Sequence, residues 1–497
     1  MQFAEQTCHR RFSLAGRHIR LIRPCDPDNH ILGAILVRTF FFLTLAIAIN
    51  SSVPTFADNW PHWRGDNGNS VSQTANPPTE WSATKNVKWK VAIPGRGSGS
   101  PAIWGDRVYV VSGVPADGNV AQANDQKQWQ VAATQQQQRR PQQRRPQQGR
   151  SRGRSGGRPR GAALKTLQFT VFCFDRATGK ELWKQVATKA KPHEATHSTN
   201  NFSSASPCTD GKHVYAHFGS RGLYCYTMDG KLVWKRDDLG KMQTRASFGE
   251  GSSPTLTGDK IVVPWDHEGQ SFVTALNKLT GDTIWKTDRN EPTCWATPLV
   301  IEHNGQQQVV MNGQNKARSY DLETGKELWS CGGQTQRPVA SAISTGGLVI
   351  VGSGHRGAFM AAFDPAGRGN VEGTDHVKWT ITRDTSDIAS PVLSNGRLYF
   401  HKGKTGVLTC VDAITGKKIF GPTRTPGLSS IYASPVAAGG HVFLTGRSGT
   451  TVVIKDADKF EVVATNSVGE TVDATPAPVD DQLFIRGERH LFCISGS

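Results

Sequence analysis

One unit of about 45 residues recurs from residue 88 to the C-terminus, and no other feature limits the fold so tightly. Its tail reads DRATGKELW at 175–183, NKLTGDTIW at 277–285 and DLETGKELW at 321–329. Looser copies are TMDGKLVW (227–234), DAITGKKIF (412–420) and DADKFEVV (456–463). Ahead of the tails, a small hydroxyl residue stands before Pro at Ser100, Ser206, Ser253, Thr297, Ser390, Ser434 and Thr475. Ser341-Ala342 fills the one missing slot, which makes eight copies.

Each copy divides into four short runs, as in SSPTLTG, KIVVPW, SFVTALN and DTIWKT between 252 and 287. Gly-Asp, Asp-Gly and Thr-Gly pairs between the runs supply the positive-φ positions that tight hairpins need. A sheet this small cannot bury both faces alone, whereas a ring of sheets packed face to face can. The expected fold is therefore all-β, an eight-bladed β-propeller of four-stranded antiparallel blades. The last copy runs out after three strands, and VKWKVAI (87–93) supplies the fourth. That N-terminal strand closes the ring with Trp89 in the Trp column.

Two residues before the motif's acid the chain has Cys173, Cys225, Ala275, Ser319, Ala362, Cys410 and Cys493. Cysteine here alternates with Ala and Ser, so it reads as a small packing residue. Cys208, Cys294 and Cys331 give no metal-ligand spacing, and no zinc site is expected.

The formal charge of +17 is unevenly placed. Residues 139–160 hold nine arginines and no acid, within a Gln-, Pro- and Gly-rich stretch. This stretch, 114–165, has too little apolar content to fold and is expected to be a disordered insertion within blade one. A polyanion contact through it is the sharper expectation. The repeats themselves are only mildly basic, so specific nucleic-acid binding is not expected. Residues 38–57, RTFFFLTLAIAINSSVPTFA, have the make-up of a secretory signal with cleavage near Ala57. The domain plan is thus an N-terminal extension and signal over 1–57 and a propeller over 58–497. Initiation near Val37 is expected, and the product is periplasmic or secreted.

The repeated Asp-x-x-Thr-Gly-Lys-x-x-Trp tail with its Ser-Pro strand start resembles the PQQ-like propeller repeat. That repeat is shared by quinoprotein dehydrogenases and outer-membrane assembly-factor propellers. The resemblance implies that Trp89, Trp183, Trp234, Trp285, Trp329 and Trp379 dock between blades. Phe420 and Val463 depart from the pattern, and their junctions are expected to be the weakest. The opening NWPHWRGDNGNSVS (59–72) is similar to a segment that often precedes such exported propellers, and its Arg-Gly-Asp is read as having no adhesive role.

Propeller sites usually lie on the face built by blade-to-blade loops. There Asp266, His267 and Glu268, with Glu250 and Glu291 nearby, form the best acidic cluster, suited to a hard cation such as Ca²⁺. Trp295 at the channel mouth suits either of two roles, a stack on a planar ligand or a plug of the channel. A second candidate group comprises His193, His197, Arg245 and Arg337, and Asn315, His355, Arg356, Asp387, Lys404 and Tyr432 lie on the same loops. A quinoprotein dehydrogenase resembling the family's enzymes would use PQQ and Ca²⁺ on alcohols or sugars. Those enzymes carry an adjacent-Cys disulfide, and here no Cys-Cys or Cys-x-x-Cys-His occurs. The reading favoured from sequence is a monomeric, non-catalytic binding or scaffolding module of the cell envelope. Its expected partner is an envelope protein or polysaccharide, and no cofactor is assigned.

Overall fold

A computed structural model describes residues 58–118 and 164–496. The signal-like stretch, the extension before it and most of the Gln/Arg-rich insertion lie outside the described residues. Within them the chain forms eight antiparallel meanders, one per sequence repeat. Blade one comprises strands Ala102–Trp104, Arg107–Pro115, Leu167–Asp175 and Glu181–Ala190. The second of these ends at Pro115, two residues inside the stretch 114–165 expected to be an insertion. Blades two to seven follow in chain order, and blade eight takes three strands from Ala477 onward and its fourth from Val87–Ala92. Trp89 faces Cys493 across that last pairing, so the ring closes as the sequence predicts.

The packing explains the motif. In blade one Cys173 sits opposite Trp183, and a bulge then skips Leu182. Cys225–Trp234, Ala275–Trp285, Ser319–Trp329 and Ala362–Trp379 repeat that pairing. Only a small residue leaves room for the indole to lean toward the next blade. There its Nε1–H donates to the carbonyl just after the next motif's acid position, as Trp89 to Arg176 (2.9 Å), Trp183 to Met228 (2.8 Å) and Trp285 to Leu322 (2.8 Å). Trp329 instead donates to the Gln308 side chain (3.3 Å), whose amide donates to the Pro365 carbonyl of blade five (3.0 Å). The ring face covers the Thr-Gly turn. At Gly179, with φ +73°, a Cβ would meet the Trp89 ring at 2.8 Å, so the glycine is required twice over. Truncating a docked indole of this kind to Ala costs about 3–5 kcal/mol.

Two further junctions lack the Trp altogether. Phe420 keeps the Trp position of blade six and packs edge-on against Phe460 of blade seven at 5.9 Å. In blade seven Val453 pairs with Ala464 and the bulge skips Val463, so Ala464 stands in the Trp column, not Val463. The register also puts Lys455, not Asp456, at the motif's acid position. Asp456 instead ties blade seven to blade six, accepting from Ser394, Arg397 and Tyr399 at 2.6–3.0 Å. Trp81, buried against Phe443 at 6.4 Å, fills the space that the missing indole leaves. Both departures therefore carry an aromatic substitute.

The repeated hydroxyl residue has its own role. The backbone N–H of Ser100 donates to the Ser206 hydroxyl, Ser206 to Ser253, Ser253 to Thr297 and Thr297 to Ser341. Ser341 continues to Ser390, Ser390 to Ser434, Ser434 to Thr475 and Thr475 back to Ser100. Eight bonds of 2.8–3.1 Å thus close a belt around the channel. The innermost strands have no sheet partner on that side, and the short hydroxyl supplies the acceptor that their N–H groups need.

Residues 58–81 run across one end of the channel and touch every blade. Trp60 pairs with Ile103, and the carbonyl of Pro61 accepts from Thr209 (3.0 Å). His62 reaches the Pro254 carbonyl, Gly68 lies against Leu299, and Asn69 accepts from Ser344 (3.3 Å). Arg64 donates to the Pro391 carbonyl (2.5 Å), Ser72 to that of Ala437 (3.0 Å) and Asn76 to that of Asp480 (2.6 Å). The NWPHWRGDNG segment is a floor.

Candidate functional site

The belt and the floor enclose the lower part of a cavity of about 780 Å³ that opens on the loop face. Trp63 forms its base and the eight belt residues its waist. Above them Phe248, Trp295 and Tyr432 supply aromatic walls, and Arg245, Arg337, Arg356 and Lys404 supply positive charge. The volume lies in the range of small-molecule sites, as does the mixture of aromatic walls and few charged groups.

Each wall residue is held in place. The Trp295 indole donates to the Gly249 carbonyl at 2.7 Å and stacks near Phe248 at 6.5 Å. His197 meets the Phe248 ring edge-on at 5.0 Å, and the Arg337 guanidinium lies 5.9 Å from that ring. Tyr432 is flanked by Arg447 (4.5 Å) and Lys404 (5.9 Å). Its hydroxyl donates to Thr199 at 3.3 Å, so the loop between blades one and two reaches across to that between blades six and seven. Three cavity residues with side chains, Ala246, Arg337 and Arg356, have φ of 51°, 46° and 54°. Backbone held in the left-handed region costs about 1–3 kcal/mol per residue and gathers at functional sites.

The cavity is electrostatically one-sided. Its lining has four cations against one carboxylate, Asp473, whose oxygens already accept from Arg447 at 2.6 and 3.1 Å. Asp387 lies just behind the wall, between Arg337 (3.5 Å), His355 (3.8 Å) and Lys404 (3.9 Å). Burial, then Lys404, Arg337 and Arg447, hold His197 below its ordinary value. Burial and Arg337 do the same for His355. At both imidazoles burial is the larger cause, and the neighbouring cations add to it.

The acidic cluster expected from the sequence is placed quite differently. Asp266 is buried and accepts from Arg289 at 2.8 and 3.1 Å. Glu291 takes the backbone N–H groups of Asn315 (2.7 Å) and Lys316 (3.0 Å) and pairs with Arg318. Glu268 accepts from Thr293, and His267 accepts from the Gln243 N–H at 3.2 Å. Glu250 binds Ser220 and Arg221. The space beside Glu250 and Asp266 is about 20 Å³, room for about one water. His193 and His197 part company as well. The first joins Glu194 and Glu250, where the Arg221 guanidinium bonds both Glu250 (3.1 Å) and His193 (3.0 Å). A cation already stands there, and it belongs to the protein.

Of the ten candidate residues, Trp295, His197, Arg245 and Arg337 line the cavity. His355, Arg356, Lys404 and Tyr432 join them. Sequence reasoning missed Trp63, Phe248 and the belt hydroxyls as lining. The belt could have been found, since its members were aligned as strand starts; Trp63 occurs once and carries no periodic signal.

A family model described as outer membrane protein assembly factor BamB matches residues 168–421, just over half of the chain. The chain belongs to this family of PQQ-like repeat propellers. A quinoprotein ethanol dehydrogenase of Pseudomonas putida is 26% identical over 207 residues, 38% of this chain and 30% of that enzyme. The propeller thus spans less than a third of the length of the curated relative it matches. Among solved structures it is similar to the quinohemoprotein alcohol dehydrogenase from Comamonas testosteroni, with a TM-score of 0.56 at 11% identity over 88% of this chain and 81% of that one. A europium-containing methanol dehydrogenase gives 0.53 at 10% identity over 86% and 89%. At such identities the likeness concerns the fold. Family membership admits both scaffolding and dehydrogenase relatives.

Proposed function

We propose that this propeller is an exported, non-catalytic binding module of the cell envelope, and that its ligand seat is the cationic central cavity. The supporting observation is the charge balance, four cations against one neutralised carboxylate around a cup with aromatic walls. Such a cup favours a compact anion with a flat part. Alcohol oxidation needs a base near the substrate, and its calcium-assisted form also needs carboxylates free to hold the cation. Here Asp473 and Asp387 face arginine and lysine, and Glu250, Asp266, Glu268 and Glu291 are engaged by protein donors.

PQQ, a flat polycarboxylate quinone, fits this donor set in part. Arg245, Arg337, Arg356 and Lys404 would hold its carboxylates, and Trp295 or Trp63 its ring. For the accompanying calcium the described residues gather one group, His193, Glu194 and Glu250, and the Arg221 guanidinium already bonds two of its members. The quinoprotein dehydrogenase reading keeps a place because of the match to the ethanol dehydrogenase. Titrating PQQ into the purified protein with and without Ca²⁺, then assaying dye reduction with alcohols and sugars, separates the two. The binding-module reading predicts saturable, salt-sensitive binding that is indifferent to Ca²⁺, with no turnover. Ca²⁺-dependent turnover would establish the dehydrogenase instead.

A further inference from the structure

The residue before the Trp column points outward and is apolar in blades one to four: Leu182, Val233, Ile284 and Leu328. The first three are 41–43% exposed. Leu328 is not, because blade five sends a segment back over the edge of blade four. Gly369–Asn370 pairs in parallel with the outer strand Glu327–Cys331, Trp329 opposite Gly369 and Ser330 opposite Asn370. Val371 follows, buried to 1%, with its N–H on the Ser330 carbonyl at 3.0 Å. It packs in one cluster with Leu328, Trp329 and Phe363. The molecule thus shows what its outer edge accepts, an added parallel strand carrying one apolar side chain.

Blade one presents the same edge at greater length. Its outer strand, Glu181–Ala190, has ten residues, and no strand pairs with its far side among the described residues. Leu182 (43% exposed) and Val186 (49%) stand on it. Exposed lysines flank them at 180, 184, 189 and 191 against a single acid, Glu181, which lies 3.2 Å from Lys184. Lysines on an edge discourage pairing with an identical edge, so a second copy is disfavoured. The chain's own insertion, with nine arginines and no acid over 139–160, carries the same sign and is disfavoured too.

We propose that the outer edge of blade one docks an extended acidic segment of another protein, added as a strand, with apolar side chains over Leu182 and Val186. Main-chain hydrogen bonds would give affinity, and the lysines would select the partner by charge. This site is separate from the central cavity and does not depend on how that cavity is used.

The test uses the full chain and a fluorescent nine-residue peptide alternating Val with Glu, read by anisotropy and by hydrogen exchange. Saturable binding is expected, with slowed exchange over 181–190. Lys184→Glu/Lys189→Glu should weaken it at least about tenfold at an unchanged melting temperature, since both side chains are exposed. A peptide with Lys in place of Glu should then recover on that variant, and one with backbone N-methylation should fail on both. Excess PQQ, directed at the cavity, should not compete. No binding, binding indifferent to the charge reversal, or protection confined to the cavity loops would overturn the proposal and leave the lysines as guards against self-pairing.

Discussion

Two polar clusters share the loop face of this propeller, and they behave in opposite ways. Around Asp266 and Glu291 every carboxylate meets a buried arginine or a backbone N–H, and almost no space remains. Around Arg245, Arg337, Arg356 and Lys404 the cations outnumber the acids and surround a cavity of about 780 Å³. Charge on a loop therefore says little until its partners are counted. The first cluster fastens blades three and four together. The second is left with charge to offer a ligand.

The sharpest way to break this comparison is to remove Asp266. Asp266→Ala leaves Arg289 buried without its partner, which should cost about 3–5 kcal/mol by denaturant unfolding. A cost under about 1 kcal/mol would show that the cluster is not structural.

Acid tests the neutral side of the same logic. His401 is buried, and that burial holds it down to about 4 from an ordinary 6.5. The unfolded chain takes its proton first, so stability present above pH 6.5 should be lost as pH falls toward 4, by about 3 kcal/mol for this one group. Melting temperatures from pH 7 to 4 check this, and His401→Leu should flatten the slope. A smaller loss, about 1 kcal/mol, is expected for Ser390→Ala, which removes one hydroxyl from the belt. Equilibrium unfolding of that variant measures it.

The fold was legible because it is written eight times. Each copy alone is weak, but a Trp, a Thr-Gly turn and a small residue in fixed register reinforce one another. Even the failure at Val463 is instructive. Without a Trp to anchor the alignment, Asp456 was taken for the motif's acid, and the strand register alone places Lys455 and Ala464 there. The site was half legible. Trp295, Arg245 and Arg337 sit where loop position suggested. Asp266 and Glu291 could not be discounted in advance, because their partners Arg289 and Arg318 lie 23 and 27 residues away on other strands. Trp63 was hidden for the opposite reason, since a floor built once leaves no repeat to read.

The central claim is that the cationic cavity, and not the acidic cluster, holds the ligand. Calorimetric titration with PQQ in calcium-free buffer tests it directly, comparing the unaltered protein with Arg245→Gln/Lys404→Gln. One site per chain is predicted, weakened about tenfold or more in the double variant, or at least about 1.4 kcal/mol, at an unchanged melting temperature. Undiminished binding by that variant, or binding abolished by Glu250→Gln instead, would contradict the account.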